Sequence, residues 1–400
     1  MNRVDNRRIM ISTMEPKAGG VPSMVGFVID ELLSRDFVPV IAHYGFFSEY
    51  PSLSVPFWKI LHQKVGTKKG VSTSKNIESH AIGSWLPELE YTHYAPNKHW
   101  QNVMDSCRFH MSVSGSCHPT LPILSTKRPS LSWVATPLQA DRVDRIRRMP
   151  LYRRVFDSIF VLPKMLKIER QILTSSRILA LSEYTSQEFR RMTQGKDFPV
   201  MPMPICPISF CPAAEKVIEG KITFVGRIGD PRKNVELLLA ASAIVHSQYP
   251  NLKIEMVGGE ATPAMIKIVK ETNMDSYVEF KPFAPRSDLP TVLQSCDLFV
   301  LPSYQEGLCI SALEAMSCGC PIVSTRCGGP SEFIVHGRNG FLCDFSAIDM
   351  ARNILAVLSD RALRSSMSIE ARKTILDRYS QPYASNIFWE QFESVFEFSN

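Results

Sequence analysis

A strand that passes through a glycine turn directly into a helix is the feature that most constrains the fold of this chain. Residues 297–314 read DLFVLPSYQEGLCISALE. The apolar run Leu298–Leu301 predicts a buried strand that ends at Pro302, and the apolar spacing after Gly307 predicts a helix with one buried face. Open α/β sheets bind ligands outside the carboxyl ends of such strands, so this turn is the first candidate site.

Two acidic residues flank the start and the middle of this predicted helix. Glu306 stands at its entrance, and Glu314 lies about 12 Å further along the axis. The free N–H groups of Leu308, Cys309 and Ile310 would bind a diphosphate together with the helix dipole. One carboxylate would then lie near the group beyond the phosphates and the other near a ribose, a span that fits a nucleotide-sugar. The alternative is that Glu306 caps the helix and Glu314 is a solvated helix residue.

The alternation of predicted strands and helices continues along the chain and indicates the α/β class with parallel sheets. In the first half, strands are predicted at residues 8–12, 37–43, 110–114, 130–135 and 177–181. A loop containing Gly19 and Gly20 precedes a helix predicted over 23–34, and these glycines either let the backbone approach a ligand or simply form a turn.

Polar residues follow two of these strands, at positions that line the mouth of a doubly wound sheet. His118 comes after the strand at 110–114, and Glu183 comes after the strand at 177–181. Both are site candidates, although a lone histidine is more often a satisfied polar residue. Residues 46–100 show little periodicity, and we expect loops and short helices there on the substrate side.

A proline-rich stretch marks the boundary between two domains. Five prolines fall within residues 199–212, which excludes a helix or a central strand and indicates a stiff linker. A chain of 400 residues with 44% hydrophobic residues is long enough for two globular cores. We therefore predict an N-terminal domain over 1–200, a linker over 201–212 and a second domain that begins at 213.

The second half repeats the alternation and adds two cations at the end of its first strand. Strands are predicted at residues 221–225, 252–257, 277–280, 298–301 and 321–324. Arg227 and Lys233 lie on the loop GRIGDPRKN that follows the first of these, and Gly258 follows the second. Fixed cations beside a helix N-terminus fit a leaving diphosphate, but exposed loop residues can equally serve solubility.

The net charge of +6 is unevenly distributed along the chain. Residues 1–200 hold 27 Lys and Arg against 17 Asp and Glu, whereas the remaining residues hold 18 against 22. Within the first half, residues 141–170 mix basic and apolar side chains, a pattern that can lie on an anionic membrane. The alternative is a solvated helix face with an ordinary buried side. Nucleic acid fits less well, because no binding module is recognisable.

Cysteine usage and hydropathy indicate a cytoplasmic chain, with peripheral attachment at the inner face of the membrane as an extension of that prediction. The ten cysteines form no C-x-x-C pair, which favours reduced and mostly buried thiols. No apolar run approaches the 18 or more residues of a membrane span, and no signal peptide is evident at MNRVDNRR.

Three motifs together resemble the retaining glycosyltransferases of family 4, which have the GT-B fold. They are V-G-R-x(5)-K-N at 225–234, V-G-G at 257–259, and EGLCISALEAMSCGCPIVSTRCGGPSEFIVHGRNGFL at 306–342. The resemblance is strong over about 221–345 and weaker over the N-terminal half. It implies two Rossmann-like domains with parallel sheets facing across a cleft. The second domain would cover 213–378, and a C-terminal helix within 379–400 would return to the first.

The resemblance also implies roles for the candidate residues. Arg227 and Lys233 would bind the diphosphate of the donor and act in catalysis. Glu306 would contact hydroxyls of the transferred sugar, and Glu314 those of the ribose. The amides of residues 307–310 (Gly307, Leu308, Cys309 and Ile310) would complete the phosphate site. Gly19 and Gly20 would face the donor from the N-terminal domain, and Gly258 would lie beside the base. No metal or other cofactor is expected in this family.

The sequence departs from the family at two places. The family's histidine after an N-terminal strand is absent, because the matching stretch reads Trp133-Val134-Ala135-Thr136-Pro137. Thr136 and its neighbours replace it, or His118 has a compensating catalytic role, or activity is impaired. Cys309 stands where the family often has glycine, but its amide remains available.

The function predicted from the sequence is a retaining, metal-independent glycosyltransferase of the hexosyltransferase type, as used in polysaccharide biosynthesis. It would move a sugar from a nucleoside-diphosphate donor to a hydroxyl of a glycan or lipid-linked saccharide. Three alternatives stay open: a nucleotide-sugar 2-epimerase on the same fold, a catalytically silent nucleotide-sugar-binding protein, and a membrane- or partner-binding module. Neither the donor's base and sugar nor the acceptor can be read from the residues.

Overall fold

The chain forms two compact α/β units. The computed structural model describes residues 6–14, 20–72, 76–147, 149–213 and 218–397, so the predicted donor residue Gly19 lies outside the described residues. The first unit comprises Met1–Met201 together with Ser385–Asn400, and the second comprises Pro202–Ala384. The stretch 202–212 thus belongs with the second unit, and most of the C-terminal helix belongs with the first.

Each unit contains one sheet, of seven strands in the first unit and six in the second. The strands are β1 (Arg8–Thr13), β2 (Val38–Tyr44), β3 (Thr67–Ser72), β4 (Ile77–Ile82), β5 (Phe109–Ser114), β6 (Leu131–Val134), β7 (Arg177–Ala180), β8 (Lys221–Val225), β9 (Lys253–Val257), β10 (Val278–Lys281), β11 (Leu298–Leu301), β12 (Ile322–Thr325) and β13 (Gly340–Cys343). All described pairings between these strands are parallel except that of β3 with β4.

Helices connect the strands and cover the sheets. They are α1 (Gly20–Ser34), α2 (Lys98–Asp105), α3 (Leu121–Leu124), α4 (Leu138–Arg147), α5 (Leu151–Phe156), α6 (Leu162–Ser175), α7 (Glu183–Met192), α8 (Val235–Gln248), α9 (Pro263–Glu271), α10 (Leu289–Gln294), α11 (Ile310–Ser317), α12 (Ala347–Ser359), α13 (Arg361–Arg378) and α14 (Gln381–Phe396). In the described part of the chain, no helix has the length and apolar character needed to cross a bilayer.

The strand order of both sheets reverses at one point. The first sheet has the order β3-β4-β2-β1-β5-β6-β7, and the second has the order β10-β9-β8-β11-β12-β13. Successive strands are therefore added outward in opposite directions from the β1/β5 pair and from the β8/β11 pair. Loops that leave the carboxyl ends of these pairs diverge and leave a crevice, which is where open α/β sheets bind ligands. The GT-B prediction of two parallel-sheet domains is confirmed at this level.

The central strands are buried on both faces, as expected for parallel sheets covered by helices. Ile11 lies between Ile41 of β2 and Met111 of β5, and all three side chains are buried. At the C-terminus, α14 begins at Gln381 and contributes a buried Phe392 to the first unit. The ring of Phe392 lies 5.4 Å from that of Phe37. Aromatic packing therefore holds this helix to the first unit.

Three sequence expectations about local structure are wrong. Residues 46–100 contain the strands β3 and β4 rather than only loops and short helices. The polar sequence TKKGVS of β3 lacks apolar alternation because this strand lies at the edge of the sheet and pairs on one side. The strand β13 was also not predicted. Helix α11 begins at Ile310 rather than near Gly307, because Cys309 adopts a left-handed conformation with φ 68°.

Candidate active site

Two loops at the strand-order reversal of the second sheet build the candidate site. One follows β8 and carries Arg227 and Lys233, and the other follows β11 and leads into α11. The amide of Tyr304 donates to the carbonyl of Arg232 at 2.7 Å, and the side-chain amide of Asn234 donates to the carbonyl of Pro302 at 3.1 Å. These bonds connect the loops directly, so residues on one have a fixed position relative to residues on the other.

An ion pair between Lys233 and Glu306 lies at the centre of this site. The Lys233 Nζ is 2.6 Å from Glu306 Oε1, and their side chains are only 14% and 11% exposed. Ser303 Oγ donates to the same carboxylate oxygen at 2.6 Å. Burial lowers the pKa of Lys233, but the charge and hydrogen bond of Glu306 outweigh it and the pKa is raised overall. The site therefore holds a permanently charged ammonium that is already oriented.

The partners of Glu306 and Lys233 decide between the alternatives raised by the sequence. The N-cap of α11 is Cys309, so the interpretation of Glu306 as the cap of this helix is wrong. The burial of Lys233 excludes a purely solubilising role for that residue. Ser303 was not predicted, and only its position three residues before Glu306 on a tight turn could have indicated it.

Arg227 occupies a more exposed position on the same loop. Its guanidinium lies 2.8 Å from Asp230, and its side chain is 48% exposed. Arg232 pairs with the same carboxylate at 3.0 Å. Burial raises the pKa of Asp230, but the hydrogen bonds and charge of Arg232, assisted by the charge of Arg227, lower it overall. Asp230 therefore remains ionised and anchors Arg227 while leaving it accessible to solvent.

The turn before α11 presents backbone amides with no intramolecular partner. Among the described residues, no carbonyl accepts a hydrogen bond from the amides of residues 307–310, whereas the amide of Ala312 already donates to Cys309 at 3.1 Å. Burial, reinforced by the charge of Glu306, raises the pKa of the Cys309 thiol to about 12, so the side chain is neutral. The predicted diphosphate-binding amides of Gly307, Leu308, Cys309 and Ile310 are thus available, although they belong to a left-handed turn that leads into the helix.

Glycines bring the neighbouring loops close to this turn. A Cβ atom added to Gly329 would lie 2.3 Å from the carbonyl oxygen of Gly307. Gly258 has φ 140°, and a Cβ there would lie 1.9 Å from the carbonyl oxygen of Gly226. Side chains at these two positions would push the loops apart. The predicted residue Gly258 therefore has at least a structural reason to be glycine.

Glu314 is buried in α11 and is not the solvated helix residue of the alternative interpretation. The residue is 2% exposed, and Oε1 lies 2.8 Å from the Arg286 guanidinium. Burial raises the pKa of Glu314 to about 6, against the opposing charge of Arg286. A carboxylate kept out of water at this cost fits a group reserved for hydrogen bonding to a ligand.

The predicted residues of the first unit lie in a different environment. Gly20 is the first residue of α1, after the carboxyl end of β1. His118 begins a short 3₁₀ turn, is 4% exposed, and has two buried ring nitrogens with no hydrogen-bond partner among the described residues. Burial lowers the pKa of His118 to about 4, so the imidazole is neutral at pH 7. Glu183 is exposed in the first turn of α7.

The stretch that lacks the family histidine is held by its backbone. The amide of Ala135 donates to the carbonyl of Ser114 at 3.0 Å, and the amide of Thr136 donates to that of Gly115 at 2.9 Å. Thr185 Oγ1 donates to the carbonyl of Ala135 at 2.8 Å. Thr136 itself is buried. No side chain at 133–137 is ionisable, so no direct replacement for an imidazole stands there.

A buried carboxylic acid in the first unit was not predicted. Glu169 is fully buried, and its Oε1 accepts a hydrogen bond at 2.9 Å from the amide of Leu138, the first residue of α4. Burial raises the pKa of Glu169 to about 7. Met165, Glu169 and Ile172 share one buried face of α6, so an acid at an apolar position of the helical repeat was the available signal.

Comparisons with known sequences place the second unit in a family. Residues 214–374 match the family of glycosyl transferases group 1. The chain is 33% identical over 152 residues to the D-inositol 3-phosphate glycosyltransferase of Pseudarthrobacter chlorophenolicus, covering 36% of each chain. It is 26% identical over 168 residues to the uncharacterized glycosyltransferase YqgM of Bacillus subtilis, covering 42% of this chain and 47% of YqgM. The chain thus spans between a third and a half of the length of these curated relatives.

Solved structures match nearly the whole chain. Sucrose-phosphate synthase from Thermosynechococcus elongatus superimposes with a TM-score of 0.76 at 17% identity, covering 98% of this chain and 99% of that one. HepE from Anabaena, solved in complex with UDP, superimposes with a TM-score of 0.71 at 16% identity, covering 97% and 100%. At these identities the likeness shows the fold alone, and that fold is GT-B. Through residues 214–374, the chain belongs to the glycosyl transferases group 1.

Proposed function

We propose that the chain is a retaining glycosyltransferase that moves a sugar from a nucleoside-diphosphate donor to a hydroxyl of a glycan or lipid-linked saccharide. The observation that carries this proposal is the buried pair of Lys233 and Glu306 beside the unpaired amides of residues 307–310. One cation, a row of N–H donors and an acid at the point where a sheet reverses its strand order form a site for a sugar diphosphate.

The chemical step that this geometry favours is departure of the nucleoside diphosphate. As the sugar–phosphate bond breaks, negative charge grows on the phosphate oxygen. Lys233, Arg227 and the amides of residues 307–310 stabilise that charge without reorganising, because they are already fixed. These cations and amides would compensate the leaving group in a reaction that needs no metal ion.

The acceptor hydroxyl attacks the same face of the sugar that the phosphate leaves. Its proton passes to the departing phosphate oxygen, so the new glycosidic bond forms with retained configuration. Glu306 holds hydroxyls of the transferred sugar, and Glu314 holds those of the ribose at the other end of the donor. The loss of the Arg286 contact on donor binding would free the Glu314 carboxylate for this role.

Uridine nucleotides are the first donors to test. HepE was solved with UDP and with UDP-glucose, and the glycosyltransferase TarM of S. aureus was solved with UDP. The ten cysteines are free thiols, which supports a reducing compartment such as the cytoplasm as the place of the reaction. The acceptor is set by the first unit, in which no motif identifies it.

The proposal is tested by following donor and product together. The protein is incubated with UDP-glucose, UDP-N-acetylglucosamine and other nucleotide-sugars, with and without saccharide acceptors. We expect UDP release that rises with an acceptor, and the anomeric proton coupling in the product's NMR spectrum should match that of the donor. Inversion of the anomeric centre would contradict retention. Isomerised donor in the absence of acceptor would instead identify a nucleotide-sugar 2-epimerase.

A second candidate is a nucleotide-sugar-binding protein without catalysis. The observation that favours it is the absence of an ionisable residue at 133–137, where the family carries histidine. Such a protein would bind the donor and protect it, with no hydrolysis above the background rate. Calorimetric binding without any UDP release over the whole acceptor set would support this candidate and exclude the transferase.

A further inference from the structure

One segment of the first unit exposes almost all of its residues. Of the ten residues 151–160, only Asp157 is buried. Six of the nine exposed side chains are large and apolar, with exposures between 39% and 72%. We call them the apolar face: Leu151, Tyr152, Val155, Phe156, Ile159 and Phe160. Contiguous exposed apolar surface of this kind marks an interaction site more often than scattered single residues do.

The apolar face is fixed to the domain rather than hanging from it. Asp157 forms a buried ion pair with Arg142, whose side chain is 3% exposed. The π-helical turn Asp157–Val161 follows α5 directly, and Val161 joins a buried cluster with Met165 and Leu138. A π-turn shifts the faces of the helix relative to one another. Here it turns the single acid inward while the residues on either side of it remain outside.

The charges around the apolar face have one sign. Arg153 and Arg154 are exposed within it, and Lys164 and Lys167 are exposed on the helix that follows. Between Met149 and Ile168, the only acidic residue is the buried Asp157. A surface that is apolar and cationic, with no exposed carboxylate, complements a bilayer with anionic headgroups. A second copy fits less well, because it would bring the same arginines against one another.

We propose that the apolar face inserts into the interfacial region of an anionic bilayer, with Arg153 and Arg154 on lipid phosphates. This contact does not depend on the proposed transferase activity. If that activity uses a lipid-linked acceptor, the contact places the first unit at the surface that carries the acceptor.

The test uses the full chain and vesicles of stated composition. Co-sedimentation is measured on phosphatidylcholine vesicles with 30% phosphatidylglycerol and on phosphatidylcholine alone. We expect binding at least about tenfold tighter on the anionic vesicles, weakening as salt is raised because screening shortens the range of the charges. Phe160→Ser, and separately the pair Arg153→Glu and Arg154→Glu, should each weaken vesicle binding at least about tenfold.

Matched substitutions elsewhere separate this surface from general stickiness. Ile348→Ser changes an exposed apolar residue of the second unit, and Arg190→Glu with Arg191→Glu changes an exposed arginine pair on α7. Both should leave vesicle binding unchanged, and circular dichroism should show equal melting temperatures for all variants. Equal binding by all variants, or no vesicle binding by the wild type, would overturn the proposal. A wild-type dimer that Phe160→Ser dissociates would show that a second copy covers the face instead.

Discussion

The two sheets share the same reversal of strand order but place opposite kinds of polar group near it. In the second unit, Lys233 and Glu306 pair as full charges beside free amides. In the first unit, His118 and Glu169 are enclosed, and burial shifts the pKa of each toward the neutral form. The second unit is therefore prepared for an anionic ligand, whereas the first offers a neutral interior beneath its surface. This difference assigns the phosphate chemistry to the second unit.

The largest effect is expected from removing the fixed ammonium of the second unit. Lys233→Ala should lower turnover by about 10²–10³, or roughly 3–4 kcal/mol, because a preorganised contact to the leaving phosphate is lost. Turnover is measured by UDP release under saturating donor. Lys267→Ala removes an exposed lysine on α9 and serves as the control. Near-normal turnover of folded Lys233→Ala would contradict the leaving-group role.

The buried acid of the first unit should govern how stability changes with pH. The folded pKa of Glu169, about 7, lies above its ordinary value, so its contribution to stability is fully present below about pH 4.5 and is lost as pH rises toward 7. Glu169→Gln removes this loss. At about 1.4 kcal/mol per pKa unit, the free energies of unfolding of variant and wild type should diverge by about 3 kcal/mol between pH 4.5 and 8.

Denaturant unfolding at several pH values checks this prediction, with the exposed Glu183→Gln as control. His118 acts in the opposite sense, because its lowered pKa gives stability that is lost as pH falls from about 6.5 to 4. The wild-type curve alone therefore mixes the two groups, and the difference between wild type and variant isolates Glu169. A constant difference across the pH range would show that Glu169 is not buried as an acid.

An intermediate effect is expected at the ribose end of the second unit. Glu314→Gln should weaken UDP binding by about 10–30-fold, since a hydrogen bond to a charged group contributes about 1.5–3 kcal/mol. The folded pKa of Glu314, about 6, also lies above its ordinary value, so the same variant should be more stable than wild type above pH 6. Calorimetry with UDP and thermal melts at pH 8 measure both. Unchanged affinity together with higher stability would leave Glu314 with no binding role.

The smallest effect is expected at the exposed cation of the same loop. Arg227→Ala should raise the KM for the donor about 5-fold, close to 1 kcal/mol, because the side chain is half exposed and shares Asp230 with Arg232. Steady-state kinetics measure KM and kcat separately. A loss as large as that of Lys233→Ala would show that both cations contact the phosphate equally in the bound state.

The same contrast explains what the sequence could predict. Lys233, Glu306 and Glu314 lie on strand–loop–helix segments in which a motif and its position on the sheet are encoded together, so their candidacy followed from local pattern. Glu169 is placed by the packing of α6 against the start of α4, thirty-one positions away. Nothing in its neighbours along the chain specifies that contact. Strand β3 was missed for a related reason, because an edge strand needs no apolar alternation.

The most direct test of the central claim is a crystal structure of the chain with UDP. We expect the diphosphate oxygens within hydrogen-bond distance of the amides of residues 307–310, with Lys233 Nζ beside them and Glu314 on the ribose. A nucleotide bound anywhere other than the turn before α11, or a ribose remote from Glu314, would contradict the proposed donor site.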